Sequence, residues 1–222
     1  MASMIRETAS TDSHLNSARR HQRLCRQVKG AEKYSEAIQP QMDELKAKRE
    51  ETKSKVDNKQ DAYDDMILAD LNLDNRVRTL HESSKQYDRD NPGANVLIQI
   101  FPDGNFSHIV KTSRTKEPDV VEKLAVRVEN LGENHVLYPL AQQLRTDIEA
   151  SHAAIVRFAA AIREQKITEA EEEIAQVHLR RQYEANYLDA RKELGRAAAD
   201  RLFPRIIRHE TAEEDELEEV AA

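Results

Sequence analysis

The nearest approach to a metal site in this sequence is a carboxylate and an imidazole at helical spacing. Glu149 and His152 form a Glu-x-x-His pair, the arrangement that puts both side chains on one helix face in carboxylate-bridged di-metal bundles. Such a centre takes two of these pairs and two further glutamates, whereas the sequence offers one pair. An ion pair beside a helix seam therefore explains Glu149 and His152 better, and we predict no metal, cofactor or catalytic residue.

The thiol and two other histidines support the same conclusion. Cys25 has Arg23 and Arg26 beside it, and neighbouring cations lower the pKa of a thiol. No recognisable motif places a histidine as its base, so Cys25 is interpreted as a helix-seam residue. His14 and His21 lie seven residues apart on one helix face, which alone does not make a metal site.

Two more polar residues stand within apolar patterns. Asp70 falls on the apolar stripe of a long helix. A buried carboxylate can be functional, but a polar seam residue that fixes helix register explains Asp70 with fewer assumptions. His108 is expected to face Gln99 across two strands, where a cross-strand hydrogen bond suffices. We therefore predict that the protein is not an enzyme.

Composition favours long helices over a thick globular core. Charged residues make up 34% of the 222 residues, aromatic residues make up 5%, and there is no tryptophan; this balance is typical of coiled coils. The net charge of −7 argues against nucleic-acid binding, which needs a basic footprint. One cysteine and a start without an apolar signal-peptide core predict a cytoplasmic protein with no membrane segment.

Residues 95–111, NVLIQIFPDGNFSHIVK, are the only stretch with a β pattern. Two runs of β-branched and aromatic residues flank Asp103-Gly104, which is a strong hairpin signal. With this pair as the loop, Phe101 faces Phe106 on one side of the hairpin. Because an isolated two-stranded hairpin is marginal in water, it must be covered by helices or pair with other copies.

Helical patterns fill most of the remaining chain, with breaks predicted at Pro40 and Thr168. Proline lacks an N–H group, and Thr168 with Glu171 resembles a capping box just after a phase slip between Ile162 and Ile167. The two breaks lie about 63 and 64 residues from the turn, so antiparallel helices leaving one hairpin would reach them at the same level.

These patterns predict a mainly α protein: a long antiparallel helical coiled coil or bundle with one central β-hairpin between its halves. The expected parts are a flexible N-terminus (1–12), a terminal helix pair (13–39 and 168–203), a helical arm (40–90 and 118–167), the hairpin (95–111) and a disordered acidic tail (204–222). The sequence leaves open whether the terminal pair extends or folds back on the arm. The tail contains a short apolar motif, Ile206-Ile207, which is either a docking peptide for a partner protein or a segment that folds back on the bundle.

A second apolar stripe on the helix of the arm predicts self-association. Ala153, Val156 and Ala160 are offset from the seam residues Ile148, Ile155, Phe158 and Ile162 and have no partner within the arm. Unpartnered apolar patches usually mark interfaces. We expect this stripe to contact either the folded-back helix pair or, preferentially, a second copy of the chain.

The function predicted from these features is that of a structural, self-assembling scaffold or assembly subunit forming a homo-oligomer. Its expected interface residues are Ile98, Phe101, Phe106, Ala153, Val156, Ala160, Ile206 and Ile207. The helix–hairpin–helix layout of residues 41–166 also resembles that of prefoldin subunits. That resemblance implies an alternative, a chaperone or adaptor that holds a partner between helical arms.

Overall fold

The computed structural model describes residues 2–204 as a series of helices joined by turns, the longest of which spans residues 101–116. They are α1 (Thr11–Gln27), α2 (Glu32–Asp90), α3 (Val96–Ile100), α4 (Glu117–Glu129), α5 (Tyr138–Leu194) and α6 (Arg196–Leu202). The chain divides into two compact units, Met1–Ser54 with Lys166–Ala222, and Lys55–Gln165. The predicted tail motif, Ile206 and Ile207, lies outside the described residues.

The first unit is built from α1, α6 and the parts of α2 and α5 that fall within it. Ser10 begins α1, since its hydroxyl accepts the N–H of Ser13 at 3.3 Å. The core lies between the helices, and the N-terminal segment joins it: Ile5 is buried, and the N–H of Ser3 donates to the carbonyl of Phe203 at 2.9 Å. The buried apolar residues are Ile5, Leu15, Ala18, Cys25, Ala31, Tyr34, Ile38, Met42, Leu45, Ala175, Leu179, Tyr183, Ala190, Ala199, Leu202 and Phe203.

The second unit has its core where α3, α4 and the turns between them pack on the adjacent parts of α2 and α5. The core residues are Leu73, Val77, Leu80, Val96, Ile100, Phe101, Ile109, Val121, Leu124, Ala125, Val128, Leu137, Ala141, Leu144 and Ile148. Residues 55–72 and 149–165 lie beyond this core, and Ala62, Met66 and Ser151 are the buried side chains there. That stretch is therefore a thin two-helix segment.

The β-hairpin predicted over residues 95–111 is wrong, because the described chain contains no strand. Residues 96–100 form α3 instead. Asn95 adopts a left-handed conformation with φ of 54°, and the carboxylate of Asp88 accepts the N–H groups of Val96 and Leu97 at 2.7 and 2.9 Å. A carboxylate on these N–H groups stabilises a first helical turn. Gly104 has the positive φ expected of it, 64°, but helix and irregular turns, not strands, flank it.

The two predicted helix breaks are also absent, since α2 runs through Pro40 and α5 runs through Thr168. Ile38 and Met42, on either side of the proline, are both buried, so packing holds the helix in place. The apparent phase slip near Gln165 arose from counting Ile167 as a seam residue, whereas its side chain is exposed. Thr168, Ala175 and Leu179 carry the buried face instead, at steps of seven and four.

No helix within residues 2–204 is both long enough and apolar enough to cross a membrane.

Candidate functional site

The α5 stripe, defined as Ala153, Val156 and Ala160, lies on the exposed surface of the second unit. All three side chains are exposed, and Val156 retains 68% of its accessible surface. In contrast, Ile155, Phe158 and Ile162 are half-buried, and the ring of Phe158 lies 5.3 Å from that of Tyr63 on α2. The side of α5 that faces α2 is therefore distinct from the α5 stripe.

A shallow groove between α2 and α5 borders the α5 stripe. One part, of about 340 Å³, is lined by four alanines and by Leu68, which is 58% exposed, together with Asp65, Asn72 and Arg157. The next part, of about 290 Å³, continues along Ala62 and Ala161. Arg157 lines both parts and forms an ion pair with Asp65 across the groove. The apolar surface therefore extends from α5 onto the neighbouring helix.

The three interface residues predicted on the hairpin do not form one surface. Phe101 is 1% exposed and belongs to the core, where its ring lies 5.2 Å from that of His81. Phe106 is half-buried, and its ring lies 4.9 Å from the same imidazole. Ile98 is exposed on α3. The sequence placed both phenylalanines at an interface because it assigned them to strands.

The geometry around Cys25 resembles a thiol–imidazole arrangement. The sulfur lies 3.5 Å from Nδ1 of His21, one helical turn earlier on α1. Asn186 on α5 donates from Nδ2 to Nε2 of His21 at 3.1 Å and to the carbonyl of Tyr34 at 2.8 Å. Nδ1 of His21 donates to the carbonyl of Leu202 at 3.0 Å. Cysteine, histidine and asparagine thus meet in the first unit.

This cluster is organised for packing rather than catalysis. Cys25 and His21 are fully buried, and burial raises the pKa of the Cys25 thiol to about 12. Burial also lowers the pKa of His21, against the smaller effect of the carbonyl of Leu202. A protonated thiol and a neutral imidazole without access to solvent do not make a nucleophile. Cys25, interpreted from the sequence as a helix-seam residue, is buried in the core of the first unit, and burial rather than the neighbouring arginines sets the direction of its pKa.

A second buried polar group, unrecognised in the sequence, lies at the start of α4. Glu117 is buried beside Asp74 and Asp70 on α2. Burial, with smaller contributions from Asp74 and Asp70, raises the pKa of Glu117 to about 9. Asp70 forms an ion pair with Arg114 at 3.0 Å, and Asp74 forms one with Arg78 at 3.4 Å.

Glu117 therefore carries its proton at neutral pH, and a protonated carboxyl can donate to the carboxylate of Asp74. The residues described contain no group of three or more histidine, cysteine or acidic side chains arranged for a metal ion. The acidic cluster lies where α4 meets α2, and Glu117 and Asp74 each bury a carboxyl oxygen there. Asp70, predicted to be a polar seam residue, lies at its edge.

The remaining predicted polar sites are dispersed. His152 lies 3.7 Å from Asp119, while Glu149, its predicted partner, is exposed and forms no ion pair within residues 2–204. His108 does not face Gln99; it lines an open cavity of about 350 Å³ beside Lys123 and Arg127 of α4. His14 is buried with Nδ1 against the carbonyl of Ser10.

Comparison of the chain with protein families, with curated proteins and with solved structures finds no significant match. The α5 stripe, with Leu68 beside it on α2, leaves apolar side chains exposed on the second unit.

Proposed function

We propose that this is a structural, self-associating helical protein, a scaffold or assembly subunit whose copies meet through the α5 stripe. The observation that carries the proposal is the exposure of Val156 between two exposed alanines on one helix face. Residues at i, i+3 and i+7 lie on one face of a helix, so these three side chains form a continuous apolar strip.

The thinness of the two-helix segment supports this proposal. Two packed helices bury only one side of each, and the segment has few fully buried side chains. Val156 and Leu68 are 68% and 58% exposed, and covering side chains of this size stabilises an association by on the order of 1 kcal/mol each. Alanines let a neighbouring helix approach closely, so a helix of a second copy fits this face and the adjoining groove.

The hairpin no longer forms part of the proposed interface, because Phe101 and Phe106 pack around His81 inside the second unit. The prefoldin-like alternative depended on the same hairpin, and no observation in the second unit favours it over self-association.

The test is the pair of substitutions Val156→Glu and Ala160→Lys in the full chain. Sedimentation equilibrium of the unaltered protein should give a mass above the 25.5 kDa of one chain. The double variant should sediment as a smaller species, since both new charges would have to be desolvated in the interface. Its helicity, measured by circular dichroism, should be unchanged because both positions are exposed.

Val136→Glu is the matched control. Val136 is 66% exposed, close to the 68% of Val156, but it lies in the turn before α5. The Val136→Glu variant should associate like the unaltered protein. An unaltered protein that is monomeric at every concentration, or a double variant that loses helicity, would contradict the proposal.

A further inference from the structure

The α5 stripe is flanked by two opposite charges placed symmetrically about Val156. Glu149 lies seven residues before Val156, and Arg163 lies seven residues after it. The residues 149, 153, 156, 160 and 163 follow one another at steps of four, three, four and three. This spacing keeps all five on one face of a helix, and all five side chains are exposed.

These two charges are also the ones that the second unit leaves without partners on this part of α5. Between residues 149 and 164, Arg157 pairs with Asp65, Glu164 pairs with Lys55 at 2.8 Å, and His152 lies 3.7 Å from Asp119. Glu149 and Arg163 form no ion pair within residues 2–204. The charges directed toward α2 and α4 are matched inside the unit, whereas the two on the exposed face are not.

We propose that two copies of the chain pack α5 against α5 in antiparallel orientation, with a two-fold axis at Val156. This inference rests on the proposed self-association and specifies its geometry. Reversing the direction of one helix places Val156 against Val156 of the second copy. It also places Glu149 against Arg163 of the second copy, and Ala153 within one residue, or about 1.5 Å, of the level of Ala160 of the second copy.

Charge and shape both favour this orientation. In the antiparallel pair, both ends of the strip form a Glu–Arg contact, because a two-fold interface repeats each contact. In a parallel pair, Glu149 would face its own copy, and Arg163 would do the same, so both ends would repel. The alanine layers beside the axis allow the two helices to approach closely.

Charge reversal in the full chain tests the orientation. Glu149→Arg alone should raise the dimer dissociation constant on the order of tenfold, because it replaces two attractive contacts by two repulsive ones. Arg163→Glu alone should do the same. The double variant Glu149→Arg with Arg163→Glu should return to the affinity of the unaltered protein, since each new arginine then faces a new glutamate. A parallel pair predicts no loss in either single variant, so unchanged affinity in both would overturn the proposal.

Cysteine cross-linking provides an independent readout. In the antiparallel pair, residue 149 and its copy are about 21 Å apart, given 14 residues at 1.5 Å each, which no disulfide spans. Glu149→Cys should therefore not cross-link to itself under oxidation, whereas a mixture of Glu149→Cys and Arg163→Cys chains should form the mixed disulfide. Cys25 is buried, and the unaltered protein is the control for its contribution.

The two proposals fail in different ways. A monomeric unaltered protein would refute self-association itself. A protein that associates, and in which Glu149→Cys cross-links readily to itself, would retain self-association and refute the antiparallel geometry.

Discussion

The carboxylate of Asp88, near the end of α2, lies 2.7 Å from the backbone nitrogen of Val96 at the start of α3. Its other oxygen accepts the N–H of Leu97 at 2.9 Å. One side chain thus satisfies two N–H groups that a helix start leaves without partners, and it ties the turn after α2 to the core of the second unit.

We expect Asp88→Ala to lower the free energy of unfolding by about 1–2 kcal/mol, as for loss of a helix cap. Urea unfolding followed by circular dichroism measures the change. Asp90→Ala is the control, since Asp90 is exposed and, within residues 2–204, its carboxylate accepts a hydrogen bond from the side chain of Gln86 alone. Equal stability of the two variants would show that the Asp88 contact contributes little.

Glu117 should make the stability of the protein fall as pH rises. Its pKa is about 9 in the folded protein against 4.5 ordinarily, so between these values the folded state binds a proton that the unfolded state has lost. Stability from this group is therefore complete below about pH 4.5 and is lost as pH rises towards 9. Arg78 and Arg114 face Asp74 and Asp70 rather than Glu117 itself.

Glu117→Gln tests this dependence, because glutamine keeps the volume and can donate to Asp74 without titrating. We expect the urea midpoint of the variant to exceed that of the unaltered protein at pH 8 and to vary less between pH 5 and 9. Glu133→Gln, at an exposed turn position, should behave like the unaltered protein. A pH profile that Glu117→Gln leaves unchanged would refute the assignment of the proton.

Features that depend on residues close together in the chain could be predicted from the sequence, whereas features that depend on residues far apart could not. Long helices were predictable because the i, i+3 and i+4 spacing of residues such as Leu73, Val77 and Leu80 is local information. The hairpin was not, since the same apolar run fits a strand or a buried helical turn until Asp88 is known to cap it. Val96 and Ile100 are buried at a spacing of four, which is one helix face, and Ile98 between them is exposed because it lies on the other side of that helix.

The buried polar sites could not be predicted from the sequence for a related reason. His21 and Asn186 are 165 residues apart, and Asp74 and Glu117 are 43 apart, so neither contact has a local signature. Only the spacing of four between His21 and Cys25 was visible. The exposure of the α5 stripe, in contrast, is compatible with the offset that the sequence displays between it and the seam residues.

His21 should be neutral in the folded protein with its proton on Nδ1. That nitrogen faces the carbonyl of Leu202, which can only accept, whereas Nε2 faces the amide of Asn186. Burial lowers its pKa below the ordinary 6.5, so the unfolded chain takes up a proton at a higher pH than the folded one. The stability that this provides is complete above about pH 6.5 and is lost as pH falls below it.

Nitrogen NMR of the imidazole rings at pH 6 measures this directly. The His21 signals should report a neutral ring protonated at Nδ1, while those of the exposed His108 serve as the reference. A charged His21 ring at pH 6, or a proton on Nε2, would contradict the hydrogen-bond network.

Pro40 is the place where a substitution should strengthen the fold. It lies inside α2 and is exposed, so replacing it removes no core contact. Alanine would restore an N–H for the carbonyl of Glu36 and is the best helix former. We expect Pro40→Ala to raise the free energy of unfolding by about 1–2 kcal/mol, less than the full helix-propensity difference because proline also restricts the unfolded chain.

Pro40→Gly separates the effect of the restored N–H from the effect of helix propensity. Glycine restores the same N–H but favours the helix less than alanine by about 1 kcal/mol. Urea unfolding should therefore rank Pro40→Ala as more stable than Pro40→Gly. If the helix instead broke at this position, the fixed φ of proline would suit the break and both variants would be less stable than the unaltered protein. The stability of the two variants relative to the unaltered protein therefore decides whether α2 continues through Pro40, where packing of Ile38 and Met42 would hold the helix although proline removes one backbone hydrogen bond.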